Sequence, residues 1–156
     1  MPTSGPLALR IKYYPGVSAA TSSEIQPNIM IENYTGSSIP LSSLKIRYWF
    51  TKDSPRTVLY VCYWATAGCP NLSGTFTSLP TPRPGADTYL EIGFNASAGN
   101  LQSLYNTEVQ VEAHKSDWSN FNQADDYSFD GTQTAYAVSS HVTLYQNGIL
   151  VWGTEP

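Results

Sequence analysis

The chain has 156 residues, enough for one domain with a substantial hydrophobic core, and a formal net charge of −4. This acidic balance argues against a nucleic-acid partner, which would require a basic surface. No apolar run approaches the roughly 20 residues of a membrane-spanning helix, so no membrane partner is expected either.

Aromatic residues make up 13% of the chain, and eleven glycines and eleven prolines interrupt its apolar segments, a mixture typical of a β-rich extracellular domain with many turns. Alternation of apolar and polar residues predicts strands, in chain order, at residues 7–14, 25–32, 44–50, 58–62, 89–94, 109–114 and 142–146, and at 149–152 after the Asn147-Gly148 turn. A loop precedes Thr75-Phe76, and the total is eight or nine short strands. Pro80, Pro82, Pro84 and Gly85 are expected to form a rigid loop. No segment of ten residues has helical periodicity, so the pattern predicts an all-β sandwich or barrel.

The first residues bear on the boundaries of the module, and the two cysteines bear on its redox environment. Residues 1–6 are interpreted as an added start followed by a linker remnant, and residues 7–156 as a single module cut from a longer chain. Cys62 and Cys69 are the only cysteines, which is a weak signal by itself. The extracellular composition favours a disulfide between them over two free thiols.

The segment 113–129 follows a clear strand pattern and carries the most distinctive side chains. Trp118 stands among small polar residues, which favours a ring that faces water over one that joins the core. Asp125 and Asp126 are adjacent, and adjacent carboxylates repel each other unless solvent or a cation separates their charges. We interpret the segment as a loop whose ring contacts a ligand and whose shape is held by calcium.

Six segments, taken together, form a specific pattern over nearly the whole chain: 33–38 (NYTGSS), 41–51 (LSSLKIRYWFT), 86–92 (ADTYLEI), 116–120 (SDWSN), 126–129 (DYSF) and 145–156 (YQNGILVWGTEP). In their order and spacing they resemble the family-3 carbohydrate-binding modules, the cellulose-binding modules of bacterial cellulosomal scaffolds and cellulases. The resemblance implies a nine-stranded antiparallel β-sandwich with jelly-roll topology, one structural Ca²⁺ and no catalytic activity.

The resemblance also implies a set of calcium ligands, which are Thr51, Asp53, Asn122, Asp125 and Asp126. Carboxylate and carbonyl oxygens are the ligands that Ca²⁺ takes, so this set agrees with the interpretation of the loop. The alternative is that Asp53 and the Asp125-Asp126 pair are turn residues solvated at the surface.

The flat cellulose-binding strip of the family carries over in part, and its predicted members here are Trp118, Trp64, Tyr63, His114 and Glu112. Trp118 matches the family's strip tryptophan, whereas Glu112 stands where scaffold members carry an arginine. The loop after Cys62 is shorter than in the family, so the strip tyrosine of the family has no counterpart. If the strand continues, Tyr63 and Trp64 point to opposite faces, and Trp64 is the one expected in the strip. His114 either joins this surface or is a bystander.

A second family feature is a shallow groove on the opposite face, which corresponds here to Arg47, Tyr89, Glu91 and Tyr127. These four residues are interpreted as structural or as a secondary site for a linker peptide or a single glycan chain. Trp49 and Trp152 lie within predicted strands and are expected to pack rather than bind.

These features predict noncatalytic binding of cellulose or a related β-glucan, which targets a covalently linked parent enzyme, scaffold or sensor to plant cell-wall polysaccharide. The module is expected to be monomeric and secreted, or attached to the cell surface through its parent. One alternative is an accessory module fused to a family-9 glycoside hydrolase, which lacks the strip and guides single chains; Trp118 and Trp64 argue against it. Another is a small glycoside hydrolase, which needs two carboxyl groups across a cleft. The carboxylates nearest the rings match calcium ligands or strand positions instead.

Overall fold

The structure, a computed structural model, describes residues 8–156, so the interpretation of residues 1–6 as a linker remnant lies outside the described residues. In chain order the strands are β1 (Leu9–Pro15), β2 (Thr21–Ser22), β3 (Glu24–Ile25), β4 (Pro27–Asn33), β5 (Ile39–Pro40), β6 (Leu44–Phe50), β7 (Val58–Ala65), β8 (Leu72–Arg83), β9 (Ala86–Phe94), β10 (Asn100–Leu101), β11 (Asn106–Lys115), β12 (Phe121–Asn122), β13 (Ala137–Val138), β14 (Val142–Gln146) and β15 (Ile149–Trp152). The predicted all-β class is confirmed. The number nine depends on whether the two-residue strands are counted.

Two antiparallel sheets face each other. The front sheet has the order β13–β1–β4–β11–β3, with β7 paired to the other edge of β11. The back sheet has the order β15–β14–β6–β9–β8. Neighbouring strands are rarely consecutive in the chain, as expected for a jelly-roll sandwich.

The core lies between the sheets and explains the alternation in the sequence. Each strand turns every second residue inward, as Ile11 and Val109 do from the front sheet and Ile46 and Leu90 from the back sheet, all of them 1% exposed or less. The intervening side chains of the front sheet therefore form an outer face that is free to carry function.

The proline-rich segment differs from its prediction. Instead of forming a loop, Pro80 and Pro82 belong to β8, which continues to Arg83. Proline is tolerated there because β8 is the edge strand of the back sheet, and its pairing with β9 is irregular between Ser78 and Arg83. Only the turn at Gly85, with a φ of 76°, interrupts the two strands.

The helices within residues 8–156 are three-residue 3₁₀ turns, and none is long and apolar enough to cross a membrane.

Candidate functional site

The outer face of β7 and β11 carries a row of exposed apolar side chains. Leu59 pairs with His114, Val61 with Glu112 and Trp64 with Gln110. Leu59 is 45% exposed and Trp64 is 48% exposed, although both lie within a strand paired to β11. A solvent-facing row of this kind on a rigid sheet is typical of a contact surface.

A β-bulge corrects the expectation that Tyr63 and Trp64 point to opposite faces. Cys62 pairs with Val111, but the next pair joins Trp64 to Gln110, so Tyr63 is an extra residue in β7. The bulge resets the alternation and leaves the rings of Tyr63 and Trp64 both about half exposed. Cys62 and Cys69 form a disulfide that closes the chain just after this bulge.

Trp118 lies on the same outer face as Trp64. Its indole stacks on the imidazole of His114, with ring centroids 3.7 Å apart and an angle of 4° between the planes. The imidazole covers one face of the indole, which is nevertheless 54% exposed, so the opposite face is available to a ligand. His114 is thus the support of the ring and not a bystander. Trp118, Trp64 and Tyr63 are called the aromatic strip below.

Glu112 does not have the role expected of a strip residue. Its side chain is only 1% exposed, so it cannot touch a flat ligand. Its Oε1 lies 2.7 Å from Nδ1 of His114 and fixes the imidazole on which Trp118 rests. Burial raises the pKa of the Glu112 carboxyl, an effect that His114 partly opposes.

Tyr63 is held by a residue that the sequence interpretation missed. Its hydroxyl donates a hydrogen bond of 2.9 Å to Glu24, which also accepts one of 2.8 Å from the Gln26 amide. These bonds lower the pKa of Glu24, while burial and the bond to Glu24 raise the pKa of Tyr63 to about 12. Glu24 pairs with His114 across the sheet, so its position could be found only from the register of β3 on β11.

The loop that presents Trp118 is braced from within. Trp118 adopts a φ of 59°, and its backbone N–H donates to the Lys115 carbonyl at 2.8 Å. The Lys115 side chain is 1% exposed, and its ammonium donates to the Asn120 carbonyl at 2.8 Å, across the loop. A buried lysine is rare, and this one ties the two ends of the loop together.

The five predicted calcium ligands converge at one end of the sandwich. Oγ1 of Thr51 lies 2.8 Å from Asp126 Oδ1, 3.2 Å from Asp53 Oδ1 and 3.4 Å from Asp125 Oδ1. The Asn122 backbone N–H donates to Asp53 Oδ2 at 2.8 Å. Three carboxylates therefore surround one hydroxyl.

One atom of this cluster lacks a protein partner. Oδ2 of Asp126 is buried and accepts no hydrogen bond, and burial, reinforced by Asp53 and Asp125, raises the pKa of Asp126 to about 8. A bound cation would satisfy this oxygen and offset the repulsion. Within residues 8–156 no three His, Cys, Asp or Glu side chains are arranged to hold a metal unaided, so a cation would also need the Thr51 and Asn122 oxygens.

The predicted groove residues lie on the outer face of the back sheet. Arg47 sits 4.3 Å from the Tyr89 ring centroid and donates to Glu91 at 2.9 Å. Tyr127 is more remote and joins them through the C-terminal residues, because its hydroxyl donates to the Thr154 carbonyl at 2.5 Å. Oε2 of Glu155 lies 3.9 Å from the Arg47 guanidinium, so the segment after β15 covers part of the groove.

Comparison with known proteins agrees with this geometry. The family model described as cellulose binding domain matches residues 10–153. A Paenibacillus xyloglucanase is 46% identical over 149 residues, which are 96% of this chain but only 14% of the xyloglucanase. A Paenibacillus lautus protein, described as an uncharacterized protein in the celA 5′ region, is 42% identical over 94% of this chain and 100% of its own length.

Among solved structures, the CBM3b of the major scaffoldin subunit ScaA from Acetivibrio cellulolyticus has a TM-score of 0.94 at 37% identity, covering 98% of this chain and 100% of that chain. Fold, length of match and identity point to one assignment. The chain belongs to the cellulose-binding domain family of family-3 carbohydrate-binding modules, and it is a noncatalytic binding module.

Proposed function

We propose that this module binds the flat surface of crystalline or microcrystalline cellulose through the aromatic strip. The observation that carries the proposal is the exposure of Trp118 and Trp64 on one face of a paired, rigid sheet. Trp118 stacks on His114 and Trp64 pairs with Gln110. These two residues of β11 are four positions apart, which is about 13 Å along a strand. Cellulose crystals present flat rows of sugar rings with C–H groups facing outward, so a flat aromatic surface matches them.

The energetics favour a repetitive ligand. One ring face buries roughly 100 Å², worth about 2.5 kcal/mol at 25 cal/mol per Å², so three rings contribute about 7.5 kcal/mol. Association costs at least about 4 kcal/mol, which leaves weak binding to any single position. A crystal surface offers many equivalent positions, and the exposed Leu59 and Val61 add further apolar area.

We infer that the module, as a monomer, targets a longer parent protein to plant cell-wall polysaccharide outside the cell. The support is that this chain spans only 14% of the xyloglucanase it resembles, while the ScaA module is part of a scaffoldin.

We also propose that Thr51, Asp53, Asn122, Asp125 and Asp126 hold a structural Ca²⁺. The buried, unpartnered Oδ2 of Asp126 and the three converging carboxylates support this proposal. When bound, the ion would supply positive charge that ties the segment after β6 to the segment after β12, and it would take no part in ligand binding.

The test of the cellulose proposal is a depletion assay with microcrystalline cellulose, xylan and pectin in parallel. We expect the protein to leave solution with cellulose and to remain in solution with pectin and xylan. Retention on xylan or pectin without retention on cellulose would overturn the proposal. Binding of soluble glucan chains with no adsorption to the crystal would favour the accessory-module alternative.

A further inference from the structure

A cleft opens where β7 ends and β11 begins, on the side of Trp64 away from Trp118. Its volume is about 270 Å³, and its polar lining residues are Thr66, Asn100, Gln102, Tyr105, Asn106 and Thr107. Thr66 follows Trp64 by two residues and exchanges two hydrogen bonds of 3.0 Å with the backbone of Glu108 on β11. The cleft therefore continues the line of the two strands that carry the aromatic strip.

Tyr105 supplies this cleft with an exposed aromatic ring. The residue is 64% exposed, more than Trp118, Trp64 or Tyr63. An exposed tyrosine has an apolar face and a polar hydroxyl, and it loses few rotatable bonds on binding. Such a ring is suited to stacking on a sugar.

The backbone that presents Tyr105 is fixed. Asn33 accepts a hydrogen bond from the Leu104 N–H at 2.7 Å and donates its own N–H to the Tyr105 carbonyl at 3.0 Å. Its side-chain amide donates to the Leu101 carbonyl at 2.9 Å. Leu104 adopts a φ of 70°, a conformation that is unfavourable for leucine and that the surrounding contacts must impose. The backbone from which the ring projects is therefore held in place before any ligand arrives.

The chemistry of the lining indicates a neutral, hydroxyl-rich ligand. Three carboxamides, those of Asn100, Gln102 and Asn106, offer donors and acceptors, and no Asp, Glu, Lys, Arg or His lines the cleft. The hydroxyl of Thr107 is buried and lacks a protein partner. An unpartnered buried hydroxyl is costly, and a ligand hydroxyl or a water would satisfy it.

We propose that this cleft, with Tyr105 as its platform, binds one sugar ring of a single β-1,4-glucan chain, such as a soluble oligomer or a chain end that has left the crystal surface. The inference deepens the proposed cellulose binding and rests on it for the identity of the polysaccharide. A cleft encloses a ring that a flat strip can only cover, so the two sites would take different physical forms of the same polymer. The module would then hold the crystal with its strip and a loose chain with its cleft.

The test is a titration of the ¹⁵N-labelled protein with soluble β-1,4-glucose hexamer, followed by NMR. We expect the side-chain amide signals of Asn100, Gln102 and Asn106 to shift. The variant Tyr105→Ala should bind the hexamer at least about tenfold more weakly, because it loses the stacked ring face. The control Ile149→Ala changes an exposed side chain of β15 in the back sheet that does not line the cleft, and it should bind as the wild type does.

Two outcomes overturn the inference: a wild-type protein whose cleft signals do not move, or a Tyr105→Ala variant that binds the hexamer normally. Adsorption to microcrystalline cellulose separates this failure from failure of the proposed function. We expect Tyr105→Ala to retain most of its adsorption, whereas Trp118→Ala should lose it. If Trp118→Ala adsorbs normally, the proposal that the aromatic strip binds cellulose is wrong, whether or not the cleft binds the hexamer.

Discussion

At the scale of residues, strained backbone conformations are concentrated at the proposed calcium and sugar-binding sites. Four non-glycine residues between 8 and 156 have positive φ angles, and one of them, Asn147, occupies a hairpin turn where asparagine is favoured. The other three are Asp53 in the carboxylate cluster, Trp118 in the strip and Leu104 beside Tyr105. Such conformations persist only when neighbouring contacts impose them, and they commonly mark functional sites.

The contact between Glu112 and His114 gives a prediction at this scale. In the variant Glu112→Leu the imidazole loses its acceptor, so we expect His114 to turn and Trp118 to lose its support. Adsorption to cellulose should weaken by about tenfold, the equivalent of one hydrogen bond. The near-ultraviolet circular dichroism of the stacked indole should change, and the melting temperature should fall, because the buried imidazole nitrogen is left without its partner. Adsorption is therefore measured well below the melting temperatures of both proteins.

The matched control for this variant is Glu112→Gln, whose amide oxygen can still accept from Nδ1. It should retain both the spectrum and the adsorption of the wild type. The positioning role of Glu112 is wrong if the leucine variant keeps the wild-type spectrum and binds equally well.

At the scale of elements, β7 joins the strip to the stability of the fold. Its inward residues pack on the core, its bulge brings two adjacent rings to the surface, and its disulfide closes the following loop. A change to this strand therefore affects both binding and folding.

Removing the disulfide tests the contribution of β7 to the stability of the fold. The double variant Cys62→Ala/Cys69→Ala should lose about 2–3 kcal/mol of unfolding free energy, because the bridge closes a loop of only a few residues in the unfolded chain. Urea denaturation monitored by tryptophan fluorescence measures this loss, and the wild type in reductant is the control. An unchanged denaturation midpoint would show that the bridge does not stabilise the fold.

Calcium removal is the corresponding test for the segments that follow β6 and β12. With calcium at about 100 times its dissociation constant, chelation should lower the melting temperature by roughly 5–10 °C. The variant Asp126→Asn should lose this response, whereas Asp117→Asn, which changes an exposed aspartate outside the cluster, should keep it. Equal melting curves with and without chelator would remove the proposed metal site.

At the scale of the whole molecule, the two outer faces differ in chemistry. The part of the front face on β7 and β11 presents aromatic and aliphatic side chains, whereas β1 and β4 beside it carry the ion pair of Arg10 with Glu32, and the back face carries that of Arg47 with Glu91. The weakly charged surface that a sugar crystal requires is therefore the part of the front face on β7 and β11.

How much of this molecule the sequence predicts depends on what each feature needs. Alternation is local, so the strands containing Ile29, Ile46 and Val111 follow directly from the pattern. A β-bulge appears only in the pairing with a neighbouring strand. The exposure of both Tyr63 and Trp64 on one face therefore could not be predicted from the sequence of β7 alone. The burial of Glu112 and the cleft beside Tyr105 depend on chain segments that are distant in sequence, and neither leaves a local signal.

The proposed binding to cellulose depends most on the exposed indoles of the front face, and the adsorption isotherm of Trp118→Ala on microcrystalline cellulose tests it most directly. Loss of one stacked ring face should weaken adsorption by tenfold or more, on the order of 2 kcal/mol, with an unchanged melting temperature. The control Ile149→Ala removes a side chain that is 69% exposed on the back sheet and should adsorb like the wild type. Adsorption of Trp118→Ala equal to that of the wild type would contradict the central claim.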